Sequence, residues 1–591
     1  MESKKLDRRE NWILALLAVL ILGTAVGVCF DYYYDLNDDV LMKDILAGVY
    51  TGVPEGHNIQ MLWPVSAFIS LLYRLAGSLP WYGLFLCFCH FGCIFLLIKR
   101  VVSLCGRIPG KLAVTLTIGC FFGSFFLEHL IYAQYTVTCT LLGAAAAFLF
   151  YTEDSERRPG EYIRKNALPI VLVWIAYLIR SEMLLLVLPM ICAAGMAKWG
   201  SEKKIFTKEN ARKYFGVIGL ILLGLLLGEG VHRIAYSSES WRAFTEFFDN
   251  RTELYDFQKP PAYEGNESFY ESIGLTEKER ILLDNYNFGI DAEIDEKMMG
   301  EIAVYAGELR NERTDFVQNL AEKLKAYLYR SLRGNGAPGS DYPWNYLIIL
   351  GYLAVLLTAL FQRDLRVLWK LPLLAFVRSA LWMYILWGER DPVRITHSLY
   401  LMEYAVLTAM TFAQWKQMES GRRKEILGGL LTAGMLGFVL TTVPARVSDV
   451  REQQRYRAEV NAPYQELYAY LSKEENSDNY YLIDVYSSVS YSEKMFENVD
   501  NSLDNYDIIG GWACKSPLWA KKLAVFGITD VEQALRERED VFFVRKISED
   551  MDWLPAYYEE RRTPVETKLV ETVAGEFEIY QVSPAQPQGG S

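Results

Sequence analysis

Two adjacent aspartates, Asp38 and Asp39, stand in the stretch DYYYDLNDDVLMKDILAGVYTGVPEGHNIQMLWP, residues 31–64, directly after the first apolar segment. Neighbouring carboxylates repel each other and gain nothing from packing. A general base or a metal ligand needs such a group. Other polar stretches supply complementary side chains: Glu128 and His129; Arg180 and Glu182; Arg251 and Asp256 in NRTELYDF; and Arg390 and Arg394 in WGERDPVRITH. Two arginines four apart at a helix mouth suit an anionic headgroup, because guanidinium pairs with phosphate in a fork geometry. They also suit plain interfacial anchoring. His57 ends the Pro-Glu-Gly-His turn and is a further substrate-contact candidate. His129 is read as hydrogen-bonded ahead of metal-bound.

Other motifs carry less. In Cys87-Phe-Cys89-His90-Phe-Gly-Cys93 only Cys89 and Cys93 share a helix face, so the run reads as apolar filling. Gly106-Arg-Ile-Pro-Gly-Lys111 lacks the spacing and the Ser/Thr of a phosphate-binding loop. Arg378 lies inside an apolar segment, where a charge usually faces protein or a cavity.

The elements that must position the aspartates are membrane helices. The chain has 591 residues, is 51% hydrophobic and carries a formal net charge of -12, an acidic balance that argues against nucleic acid as partner. Long apolar runs alternate with two polar stretches. Eleven crossings are expected, at 11–30, 81–98, 112–126, 135–151, 167–179, 183–197, 214–227, 344–361, 371–387, 395–412 and 426–443. Lys and Arg cluster at 4–9, 99–111, 157–165, 198–213, 363–370 and 416–424, which marks those stretches as cytoplasmic. Only one crossing then separates residues 31–60 from Lys99, so the apolar stretch 61–76 is expected to lie along the outer surface, with Pro64 in its first turn. The N-terminus is inside and the C-terminus outside, in the cell membrane.

The expected fold is mainly α: a polytopic helix bundle with a helical external insertion and a small C-terminal α/β domain. Its parts are a membrane region at 1–232 with the external loop 31–80, the insertion 233–343, a second membrane region at 344–443 and an extracytoplasmic domain at 444–591. In the insertion Thr276 to Glu279 form a capping box, 295–332 reads as helix, and Asn335-Gly336 with Pro338-Gly339 break it. In the tail, YYLIDVYSSV, YDIIGGW, KLAVFGI, VFFVR and FEIYQV read as strands, with a helix capped at Thr529. The last few residues read as disordered.

Asn37-Asp38-Asp39, the Tyr50–His57 turn, Pro64 and the LLYRLAGSLPWYG run together resemble the GT-C glycosyltransferases, which take sugars from polyprenyl-phosphate carriers. The later NRTELYDF, SIGLTEKERILLDNYNFGID and GERDPVRI stretches resemble uncharacterised bacterial members. The Trp-Trp-Asp motif of oligosaccharyltransferases is missing from the tail, which argues against N-linked protein glycosylation. The resemblance implies a polyprenyl-phosphate-linked sugar arriving from the outer leaflet, its phosphate held by Arg390 and Arg394. Asp38 or Asp39 would take a proton from the hydroxyl of an external glycan, lipid or protein acceptor, and the anomeric centre would invert. Glu128 would be a second carboxylate or, with Asp39, would help hold a divalent metal such as magnesium or manganese. The external tail would position the acceptor. Two other readings stay open: a lipid-linked sugar flippase or polysaccharide transporter, and a non-catalytic scaffold or receptor.

Overall fold

The computed structural model describes residues 2–585 except 36, 314–315, 335 and 498–500. Asn335 and the expected disordered end, 586–591, lie outside the described residues. Among those described, eight helices are long and apolar enough to cross a membrane, or nine if the bent pair Pro159–Lys165 and Ala167–Ile179 counts as one span. The expectation of eleven differs at two places. Ile108–Phe122 is apolar but only 15 residues long. Val393–Gln417 has the length, yet Arg394, His397, Glu403 and Lys416 lower its hydropathy and leave it outside that set.

Tyr135–Thr152 is the bundle's axis. It is buried almost all round and packs against Val393–Gln417, Ala167–Ile179, Trp81–Leu104 and Ser181–Trp199. Its run Gly143 to Ala147 has small side chains, which lets neighbouring helices approach closely without a hydrophobic driving force between them. Trp63–Leu75 holds 13 residues, or about 20 Å of helix, too short for a ~30 Å hydrocarbon core. It carries Pro64 in its first turn and exposes Phe68, Leu71 and Leu75.

A two-stranded parallel ribbon ties the chain's start to the axis helix: β1 (Tyr33–Tyr34) pairs Tyr33 with Tyr132 and Tyr34 with Ala133 of β2 (Tyr132–Ala133). The tail holds a five-stranded sheet of β3 (Tyr480–Ile483), β4 (Tyr506–Ile508), β5 (Val541–Lys546), β6 (Val565–Val573) and β7 (Phe577–Pro584), ordered β4-β3-β5-β7-β6. The three strands β4-β3-β5 are parallel, and β7 runs antiparallel to β5 and β6. Side chains alternate across it. Tyr480, Leu482, Val541 and Phe543 point into a core shared with Phe247, Leu254, Phe288 and Met299 of the insertion. Tyr481, Ile483 and Val544 point the other way, onto Tyr464, Leu467 and Leu471. Both faces are covered, as parallel strands require. The insertion and the tail, read from sequence as two units, therefore close one core between them.

Three local readings change. The expected boundary at residue 444 falls inside a single helix, which runs from Arg422 to Leu471. KLAVFGI is the end of the helix Pro517–Val525 and the turn after it, since Ser516 caps a chain whose apolar residues recur at helical spacing. The next helix, Val531–Glu537, is capped by Asp530, whose side chain accepts from Gln533 N, and Thr529 lies before the cap. The Thr276 capping box forms as written.

Candidate active site

The β1–β2 pairing brings two helix starts together. Asp35 N donates to Ala133 O at 3.2 Å, and the helix Asn37–Ala47 begins beside the N-terminus of Tyr135–Thr152. Helix N-termini carry partial positive charge, which favours the carboxylates of Asp38 and Asp39 in the first turn and any anion nearby.

The two aspartates part company there. Asp39 is fully buried and accepts a 2.7 Å hydrogen bond from Tyr82 Oη. Burial holds its carboxyl well above the ordinary range. The Tyr82 bond works against that, while Asp38 and Asp35 add repulsion. Asp38 is half-buried. Burial raises its carboxyl too, but Arg394, Arg180 and Arg251 oppose the rise, in that order, as does the polar side chain of Trp512. Three elements far apart in sequence (the Arg180 turn, the last turn of the helix Glu239–Thr252 and the first turn of Val393–Gln417) thus converge on one carboxylate, together with a tail residue.

The arginines are held differently. Arg180 pairs with Glu182 at 3.2 Å, donates to Gln60 Oε1 and lies 5.2 Å from the Tyr135 ring centre. Arg251 lies over Tyr255 and Phe288, at 5.7 and 6.0 Å, and its buried Nε has no hydrogen-bond partner among the described residues. Arg394 likewise closes no salt bridge among the described residues, and its charge is felt at Asp38. Two guanidinium groups beside Asp38 therefore keep donors for an incoming anion.

The remaining candidates lie apart. Arg390 is ion-paired with Asp256 at 2.5 Å, with Phe257 under its guanidinium, so its donors are engaged. His57 stacks on Trp241, 5.0 Å between ring centres, and its Nε2 meets Ala235 O at 3.2 Å, pinning the turn to the end of the Lys208–Ala235 helix. Glu128 accepts from Gln453 at 3.3 Å, and His129 Nε2 lies 2.9 Å from His397 Nδ1. These flank Asp35, which Arg457 pairs at 3.0 Å. Asp39 faces Tyr82 and Glu128 faces Gln453. Among the described residues no three His, Cys, Asp or Glu side chains are gathered as a metal ion would require. The residues present therefore do not fit the divalent metal. Arg378, inside its apolar helix, is neutralised by Glu403 at 3.1 Å, which also accepts from Tyr352 at 2.9 Å.

Trp512, Tyr82 and Tyr135 are not among the candidate site residues that the sequence offers. Only Trp512 left a signal, as the lone tryptophan after Gly510-Gly511 in an apolar tail segment.

Among known proteins, no family model matches the chain, and no curated relative matches it. Two solved structures align over 96% of this chain and 97% of theirs. They are ArnT from Cupriavidus metallidurans in the apo state, at TM-score 0.40, and the same protein bound to undecaprenyl phosphate, at 0.36, both with 11% sequence identity. Scores of this size fix neither family nor function.

Proposed function

We propose that this chain is a membrane glycosyltransferase that moves a sugar from a polyprenyl-phosphate carrier to an acceptor hydroxyl on the outer side of the membrane. The observation that carries it is the Asp38 carboxylate, half-buried among Arg394, Arg180 and Arg251, two of which lack carboxylate partners. Guanidinium donors left without carboxylate partners beside one half-buried carboxylate suit a bound anion better than a closed ion pair. The resemblance of the Asn37-Asp38-Asp39 region to GT-C enzymes points the same way.

In this reading the arginines and the two helix N-termini hold the donor's phosphate and stabilise the charge that grows on it as it leaves. The acceptor oxygen attacks the anomeric carbon from the face opposite the phosphate. The new C–O bond forms as the sugar–phosphate C–O bond breaks, its electron pair leaves with the phosphate, and the acceptor proton passes to Asp38. The centre inverts, and no nucleotide is consumed. Burial makes Asp38 a stronger base than an exposed aspartate. Asp39, held by Tyr82, fixes the first turn of the helix. The Arg378–Glu403 pair is read as a packing lock within the bundle, since each charge already has its partner.

The test is membrane-lipid mass spectrometry on a strain lacking the gene, complemented with wild type, Asp38→Asn or Asp39→Asn. A polyprenyl-phosphate sugar should accumulate, clear with wild type and with Asp39→Asn, and persist with Asp38→Asn. Clearance by Asp38→Asn would remove the base from the mechanism and favour a flippase.

A further inference from the structure

The helix Asn37–Ala47 divides two compartments of opposite character. Asp38 and its arginines occupy one side. On another face Asn37, Val40, Leu41 and Asp44, at i, i+3, i+4 and i+7, line a cavity of about 650 Å³, the size of small-molecule sites in general. The Arg422–Leu471 helix and the tail segments 483–497 and 504–514 close it.

Its walls are aromatic and acidic. Tyr468 stacks on Tyr506, 4.9 Å between centres at 17°, and meets Tyr491 edge-on at 5.1 Å. Carboxylates outnumber lysines five to three among the lining side chains. Asp507 accepts from Tyr50 Oη at 2.8 Å. Asp504 faces like charge from Asp44, and burial with that repulsion raises it to about 7. Ser492 is only 5% exposed and lines the cavity, yet its Oγ has no hydrogen-bond partner among the described residues. A buried hydroxyl in that position leaves a hydrogen bond for an occupant of the cavity to make. Trp512 lines the cavity and also acts on Asp38, so it stands between the two compartments.

We infer that this cavity is the acceptor site, and that it takes a sugar end bearing hydroxyls and an ammonium group rather than an acidic glycan. Tyrosine faces cover the apolar side of a sugar ring, carboxylates accept from its hydroxyls and from an ammonium, and the acidic walls repel phosphate and uronate. The inference rests on the transferase reading. It assigns the anionic donor to the arginine side of the helix and the body of the acceptor to the acidic side, with the reacting hydroxyl reaching Asp38 past Asn37 and Trp512 at the cavity's edge.

The experiment is isothermal titration of the full-length protein in detergent with three probes: the β-1,4-glucosamine trisaccharide, its N-acetylated form and trigalacturonate. The glucosamine trisaccharide should bind at least about tenfold more tightly than trigalacturonate, with the N-acetylated form between them. Asp504→Asn, which keeps the side-chain shape, should weaken it about tenfold, whereas Arg394→Ala should leave it unchanged. Binding of no saccharide, strongest binding of trigalacturonate, or an unaltered affinity in Asp504→Asn would overturn the inference. Undecaprenyl phosphate, titrated alongside, reports on the donor side separately. If it binds, and Arg394→Ala abolishes that binding while no saccharide binds, the transferase reading stands and the acceptor site falls. If saccharides bind and the lipid does not, the site is real and the donor assignment falls.

Discussion

Lys43 donates to both carboxylate oxygens of Glu493 at 2.9 Å, across 450 positions of chain. It also touches Asp44 at 2.6 Å. With Tyr50 on Asp507 and Arg457 on Asp35, it clamps the tail onto the aspartate helix. Removing the cation strands two half-buried carboxylates. Lys43→Met should cost about 3 kcal/mol. The double variant Lys43→Met/Glu493→Met should recover part of that loss. Thermal unfolding in detergent measures both, and a Lys43→Met protein as stable as wild type would show that the clamp is dispensable.

The two aspartates should separate cleanly by kinetics and stability. Asp38→Asn should lower kcat by about 10²–10⁴-fold with little change in melting, the usual range for a lost general base. Asp39→Asn should stay near wild type in both, since its site favours an uncharged group. Tyr82→Phe leaves the buried Asp39 without its donor and should destabilise the protein by about 1–3 kcal/mol. A transfer assay and a melting curve on the three variants decide the matter.

Arg394→Ala should act on pH dependence as well as affinity. The arginine holds Asp38 lower than burial alone would. Its loss raises the carboxyl further, so the acidic limb of the kcat/KM profile should move to higher pH. Donor KM should rise about tenfold or more with the loss of a charge-assisted contact. Arg390→Ala is the contrast. It breaks the pair with Asp256 and should lower stability without moving that limb.

Asp504 makes stability depend on pH in a particular direction. Its folded value of about 7 exceeds the ordinary 3.8, so the fold favours the protonated form. That contribution is full below about pH 4 and is lost as pH rises through 7. Asp504→Asn cannot titrate there. The melting temperature of wild type should therefore fall relative to the variant between pH 5 and pH 8, and parallel curves would sink the assignment.

Much of the architecture was legible because hydrophobic runs and capping chemistry are local. The capping box at Thr276, the spans at 135–152 and 344–362, and the strands β3, β5 and β7 follow from spacing alone. The KLAVFGI segment misled because a short apolar run fits strand and helix equally, and the Ser516 cap six residues earlier decides between them. The meeting of Arg180, Arg251 and Arg394 at Asp38 was approachable from charge on neighbouring loops. Which aspartate they surround was not, since that depends on the Tyr33–Tyr132 register. Arg390 and Arg394 look equivalent in sequence. Only Asp256, brought in from another element, tells them apart. His57 reads as chemistry in a turn, yet it stacks on Trp241, a partner 184 positions away that no spacing announces.

The 50-residue helix Arg422–Leu471 has a mechanical consequence. A loose tether would let the sheet wander and meet the aspartate helix only part of the time. A rod about 75 Å long, with Pro444 and Pro463 as its two weak points, makes the sheet the far arm of a lever whose near arm sits in lipid. Spanning helices tilt to match the thickness of the bilayer. Tilt at one end is displacement at the other, so turnover is expected to vary with acyl-chain length when the protein is reconstituted in bilayers of graded thickness. A flat response would mean that the two prolines absorb the motion before it reaches Trp512.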